Sequence, residues 1–227
     1  MKIASTAIIL FNDPDGFSTA IVDSLHPSPK FLTQRWQESI DISLESYGIT
    51  ERKASIDLIH FVDSNDRLQS SLMVLENYEP PVLSCVLNEV VAMIRSCASS
   101  DPLTLIVPFC SSNLNSESKF TTIFAQHIGV ETATSSAITA KFPKPSPRFH
   151  ILYEPVACLL QFIRISNLPC TIIIGARDRR SSEVELIEDM GNLLAGTLHV
   201  SFLKDNLSWA PNNSINKCEE PWRSLYG

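Results

Sequence analysis

The chain has 227 residues, 44% of them hydrophobic and 19% charged, with a formal net charge of -7 at pH 7. That size suits one domain, or one domain with an appendage, and the apolar content is that of a globular core rather than a disordered segment. The acidic balance argues against binding a phosphate backbone, seven glycines leave little for a glycine-rich nucleotide loop, and no apolar run approaches the ~20 residues of a membrane span.

Residues 3–11 are an apolar run closed by NDPDG, a strong turn signal. Acidic residues follow at once and no small-x-small cleavage site appears, so the run reads as a first buried strand rather than a signal peptide. Residues 17–25 read as a short helix ended by HPSP. Residues 30–47 carry Leu32, Trp36, Ile40 and Leu44 at four-residue spacing, which predicts an irregular helix. SIDLIHFVD (55–63) and SLMVL (71–75) read as a strand and its hairpin partner across an SND turn.

EPP then introduces a helix with Leu83, Val86, Leu87, Val90, Ile94 and Cys97 on one face. LTLIVPF (103–109) is a buried strand. The polar loop CSSNLNSES leads into a segment with Phe120, Ile123, Phe124 and Ile128, read as a helix stopped by Gly129. Residues 130–150 are Thr/Ser-rich, then Pro-rich, and read as an exposed loop. YEPVACLLQFIRISNLP predicts a helix with Val156, Leu159, Leu160 and Ile163 inward, and CTIIIG a fully apolar strand after Pro169. Past the ARDRR loop, Ser182 and Glu185 have capping-box spacing. They open a last helix with Leu186, Ile187, Met190, Leu193, Leu194 and Leu198 inward, which Gly191 and Gly196 weaken.

Strands too apolar to face water, alternating with helices, predict a single three-layer α/β/α domain over residues 1–205. Periodicity stops there, and residues 206–227 read as a flexible C-terminal tail. It ends on Leu225, Tyr226 and Gly227, an unusually apolar finish for a free end.

Motifs for catalysis are missing. There is no G-x-S-x-G elbow, P-loop or G-x-G-x-x-G. The histidines His26, His60, His127, His150 and His199 lack metal-ligand spacing, and the six cysteines form no C-x-x-C pair. No cofactor is indicated. Ser111 and Ser112, and Arg177, Arg179 and Arg180, follow strand ends, where α/β folds often place ligands. A small-molecule or hydrolase-like site spanning Ser111–Asn115 and Arg177–Arg180 is therefore the alternative reading.

LTLIVPFCSSNLNSES, YEPVACLLQFIRISNLPCTIIIGARD and the ending Leu225-Tyr226-Gly227 together resemble the eukaryotic proteasome assembly chaperone 1 family, over roughly residues 100–227. The resemblance implies a noncatalytic α/β protein of cytoplasm and nucleus. It would pair with proteasome assembly chaperone 2 as a heterodimer and sit on the proteasome α subunits. It also implies that Leu225, Tyr226 and Gly227 form a terminal hydrophobic-Tyr-X docking motif. A sister or homodimeric member of the same group is the variant of this reading.

Overall fold

A computed structural model describes residues 2–30, 32–97, 103–112, 114, 123–177 and 183–207. In chain order these form β1 (Thr6–Phe11), α1 (Phe17–Ser24), β2 (Leu25–His26), β3 (Gln34–Ile42), β4 (Ala54–Val62), β5 (Leu68–Leu75) and α2 (Val82–Cys97). There follow β6 (Thr104–Ser111), β7 (Ile123–Ile128), α3 (Ala133–Thr139), α4 (Glu154–Ile165), β8 (Cys170–Ala176), α5 (Glu183–Leu198) and β9 (Ser201–Phe202).

Seven strands make one sheet in the order β3-β4-β5-β1-β6-β8-β7, and β2 pairs with β9 apart from it. The central β5, β1, β6 and β8 run parallel. Antiparallel strands flank them: β4 and β3 on one side, β7 on the other. Helices cover both faces, as the alternating apolar strands require. Successive residues of a strand point to opposite sides, so Ala7, Ile9 and Phe11 of β1 join the α2–α4 layer. Ile8 and Leu10 join the α1–α5 layer. Ile173 and Ile174 of β8, each 0% exposed, divide in the same way.

Three expectations are overturned. Residues 34–42 are strand β3, paired with β4 over nine consecutive residues, not an irregular helix. Four-residue spacing keeps side chains on one side of a strand as well as of a helix; here Trp36 and Ile40 share a strand face. Residues 123–128 are strand β7, paired with β8 from Ile123↔Gly175 to Ile128↔Cys170. The β-branched and aromatic run satisfies its backbone against a strand already buried on its other edge, which outweighs the helical spacing. Phe120 lies outside the described residues. Finally, residues 133–139 of the expected loop form α3, started by a capping box in which Thr132 Oγ1 accepts from Ser135 N and Ser135 Oγ from Thr132 N.

Gly191, which argued against the last helix, has a packing role within it. A Cβ there would lie 2.1 Å from Phe202 Cε2, so only glycine lets the β9 ring approach α5 this closely.

Candidate functional site

Strand order reverses its direction of growth at β1. The chain leaves β1 through α1 on one face and reaches β5. It then crosses by α2 on the other face to β6, on the far side of β1. Among the described residues no helix fills the gap between the two crossovers outside the carboxyl ends of β1 and β6, which is where open α/β sheets leave a crevice. The crevice here has a volume of about 350 Å³. Phe11, Phe17, Phe109 and Val156 are among its apolar walls, and its polar groups include Asp13, Asp15, Asn77, Ser111, Ser112, Tyr153 and Arg177.

Strand ends place Asp13, Asp15, Ser111, Ser112 and Arg177, and the start of α4 places Tyr153. The NDPDG turn following β1 supplies Asp13, whose Oδ1 accepts from Ser18 N (3.0 Å) and Ser18 Oγ (2.9 Å) and whose Oδ2 accepts from Phe17 N (3.3 Å). The carboxylate thus caps the first amides of α1, where negative charge suits the helix dipole. Arg177, one residue past β8, donates its backbone N–H to Ser111 O (2.9 Å). That bond ties the Ser111 and Arg177 segments together. Its guanidinium pairs with Asp15, and its Nε lies 3.9 Å from Glu183 Oε1. Burial works against the Arg177 charge, but the Asp15 hydrogen bond and the Cys110, Asp15 and Glu183 fields outweigh it and raise its pKa.

Tyr153, just before α4, packs edge-on against Phe11 with ring centroids 6.1 Å apart. Its hydroxyl is buried without a hydrogen-bond partner among the described residues. Burial raises the phenol above its ordinary pKa, and Asp13 and Asp15 add to the rise. The Cys110 thiol is pushed up to about 12 by burial, so it is a neutral, weakly nucleophilic group. No histidine lines the crevice, and among the described residues no cluster of His, Cys, Asp and Glu could hold a metal ion. The arrangement can bind and orient a small polar molecule against aromatic walls. Among the described residues it pairs no activated nucleophile with a base.

Of the residues singled out in the sequence, Ser111, Ser112 and Arg177 are brought together. Asn113, Asn115, Asp178, Arg179 and Arg180 lie outside the described residues, as do the docking residues Leu225, Tyr226 and Gly227. Asp13, Asp15 and Tyr153 were missed. The first two read only as turn residues and the third as a helix lead-in. The available signal was position: each directly follows a strand end or precedes a helix on the same edge of the sheet. His60 is a structural histidine, 3% exposed, with Nδ1 2.9 Å from Ser71 Oγ. No helix among the described residues is long and apolar enough to cross a membrane.

A family model described as a domain of unknown function (DUF7894) matches residues 1–227. No curated protein matches the sequence. Solved structures share the fold at low identity. A Thermoplasma acidophilum protein of unknown function is 10% identical, with a TM-score of 0.58 over 97% of this chain and 88% of that one. Pyrococcus furiosus PbaA, an archaeal homolog of proteasome-assembly chaperone, is 11% identical, with a TM-score of 0.54 over 100% and 94%. A Mycobacterium tuberculosis proteasome-assembly chaperone homologue is 11% identical, with a TM-score of 0.51 over 89% of each chain. The chain therefore has the fold found in proteasome-assembly chaperone homologues.

Proposed function

The chain belongs to the DUF7894 family, and from that premise we propose that it is a noncatalytic proteasome-assembly chaperone. It pairs with a sister chaperone of the proteasome assembly chaperone 2 type and binds proteasome α subunits in the cytoplasm and nucleus. Leu225, Tyr226 and Gly227 are its docking residues. The observation that carries the reading is the match to the archaeal chaperone homolog, which spans this whole chain and 94% of that one.

The chemistry of the ending supports the docking role. A terminal carboxylate accepts charge-assisted hydrogen bonds from a lysine. A tyrosine buries a broad apolar face while its hydroxyl keeps a polar partner, and a leucine fills an apolar notch. One residue added after Gly227 would displace the carboxylate by ~3.5 Å. The test is capture of α subunits by full-length chain, by chain lacking Leu225–Gly227, and by chain with one added C-terminal alanine. Both variants should fold normally and capture at least tenfold less. Equal capture by all three would sink the docking role.

One observation favours a second reading, a small-molecule site: the crevice joins Ser111, Ser112 and Arg177 around the unpartnered Tyr153 hydroxyl. Apolar clefts with a few convergent polar groups are the usual form of such sites. Co-purification of a stoichiometric small molecule, detected by mass spectrometry of the denatured protein, tests it.

A further inference from the structure

Strand β3 is the outermost strand of the sheet. All nine of its residues pair with β4 on one side, and no described residue pairs with its other side. Natural edge strands of this length are usually blunted by proline, a bulge or charged side chains, lysine above all; the charges on β3 are Arg35, Glu38 and Asp41, of mixed sign. β3 has no proline or lysine, and the bulge between Phe61 and Val62 falls on the β4–β5 side. It also presents Trp36, 68% exposed, beside a groove of about 680 Å³ that includes His60, Val62 and Leu68. Tryptophan is enriched at interfaces and costly to leave in water.

The residues along this edge are self-complementary in one register. We propose that β3 pairs antiparallel with β3 of a second copy of this chain, about a two-fold axis at Glu38, joining the two sheets edge to edge. A two-fold perpendicular to the sheet must keep each face continuous, so it passes through a residue and opposed positions share a face. Centred on Glu38, the axis sets Arg35 opposite Asp41 and Trp36 opposite Ile40, each twice. Centred on Gln37, it sets Arg35 against Ser39 and Trp36 against Glu38. Centred on Ser39, it sets Trp36 against Ile42 but Glu38 against Ile40 and Gln37 against Asp41, with no pairing of opposite charges; the Glu38 register in turn sets Gln34 against Ile42. Only the first register matches charge with charge and apolar with apolar, the pairings that stabilise neighbouring strands.

The surroundings suit it. Arg35 Nη1 lies 3.4 Å from Val22 O and 3.3 Å from Leu25 O. This holds the side chain along the sheet and leaves other donors of its fork for a carboxylate. The cost of the register is Glu38 facing its own copy. Each Glu38 has a partner to turn toward, since its Oε1 lies 3.4 Å from His60 Nε2. A paired edge alone falls below the ~800 Å² per partner of a typical stable interface, so the dimer is a concentration-dependent one. This inference does not rest on the chaperone reading, because it concerns the chain by itself.

The test uses the full-length chain alone, by sedimentation over a dilution series and by cysteine cross-linking. Directly opposed residues have Cα atoms ~4.5–5.5 Å apart, within disulfide range, whereas diagonal neighbours stand ~7–8 Å apart. Glu38→Cys should therefore form a covalent dimer on mild oxidation well above the level of the parent chain, while Gln37→Cys and Ser39→Cys should not. Asp41→Arg places like charges opposite each other twice and should weaken association about tenfold. Glu38→Gln should strengthen it. A parent chain monomeric up to its solubility limit overturns the proposal. So does a dimer that survives Asp41→Arg unchanged, or one that cross-links equally at positions 37, 38 and 39. None of these outcomes bears on capture of α subunits, which is read separately.

Discussion

Gly191→Ala should destabilise the protein although it puts a better helix former into the middle of α5. In a helix interior alanine is favoured over glycine by about 0.8–1.0 kcal/mol. At Gly191 that gain is opposed by the β9 phenyl ring. The new Cβ would fall 2.1, 2.5 and 2.6 Å from Phe202 Cε2, Cδ2 and Cζ, far inside van der Waals contact. Relieving it means moving Phe202, whose strand is tied to β2 through the Leu25↔Phe202 pair. Overpacking of this kind costs about 1–3 kcal/mol, leaving a net loss of up to about 2 kcal/mol. Gly196, five residues on, is an internal control, with no atom within 4 Å of a Cβ built there. Gly196→Ala should stabilise by about 1 kcal/mol, or roughly 2–4 °C in Tm for a chain of this size. Thermal and urea unfolding of both variants gives the comparison. Removing the obstacle should reverse the sign: in a Phe202→Ala background, Gly191→Ala should become stabilising. If Gly191→Ala stabilises the parent as much as Gly196→Ala does, Phe202 does not hold that glycine and the packing of β9 on α5 is wrong.

Three further outcomes follow from single groups. Ile173→Ala, at a fully buried position on β8, should cost about 2–5 kcal/mol in chemical denaturation. Tyr153→Phe removes a buried hydroxyl without a partner among the described residues and should raise stability by about 1 kcal/mol; a clear loss would show that the hydroxyl has a partner in solution. Burial, then Glu188 and Glu185, raise the Asp189 carboxyl pKa. The folded state therefore holds that proton more tightly than the unfolded chain, and the charged form is slightly destabilising at neutral pH. Asp189→Asn should raise stability at pH 7 by an amount within the ~0.5 kcal/mol usual at exposed sites, read as a higher Tm. The gain should fade as pH falls through the folded pKa and be gone below the unfolded one. A gain that grows on acidification would contradict this sign.

The parallel centre was legible because its strands are apolar on both faces. TLIVPF and CTIIIG can sit only inside a covered sheet, and the α4 stripe was read with the right inward residues; in α2 Leu83, Val86, Leu87, Val90 and Ile94 are buried as read, Cys97 is not, and Val82 and Val91 were missed. What misled was segments whose state is decided by a distant partner. β3 and β7 carry four-residue spacings compatible with either element, and β4 and β8 impose the choice through backbone pairing. α3 is short and rests on a local capping box inside a stretch rich in turn formers, so composition outweighed the cap in the reading. The candidate crevice was half visible. Ser111 and Arg177 stood out as polar residues at strand ends, but that they meet depends on β6 and β8 being neighbours. That Asp15 and Tyr153 join them depends on β1 lying beside β6. Strand order is a long-range property with no signature in a single sequence.

The way the chain leaves the described domain bears on how docking should depend on the tail. Leu203 N–H donates to Ser24 O (2.8 Å), and Asn206 Nδ2 lies 2.7 Å from His26 Nε2. The exit at Leu207 is thereby pinned at the carboxyl end of α1. The crevice lies at that helix's other end, eight residues or ~12 Å away. From there 227 − 207 = 20 residues remain, enough to span on the order of 66 Å when extended. If residues 208–224 act only as a tether for Leu225–Gly227, shortening them changes affinity through effective concentration, which falls as about the −3/2 power of length. Deleting six residues between Ser208 and Asn213 shortens 20 to 14 and should strengthen capture of α subunits only about 1.7-fold. Pull-down titrations of the shortened chain against the parent measure that ratio. A loss of tenfold or more would mean either that 14 residues cannot reach the receptor or that the deleted segment makes contacts of its own. Replacing the six residues with a Gly/Ser stretch of equal length separates the two: restored capture identifies a reach limit, and continued loss refutes the tether.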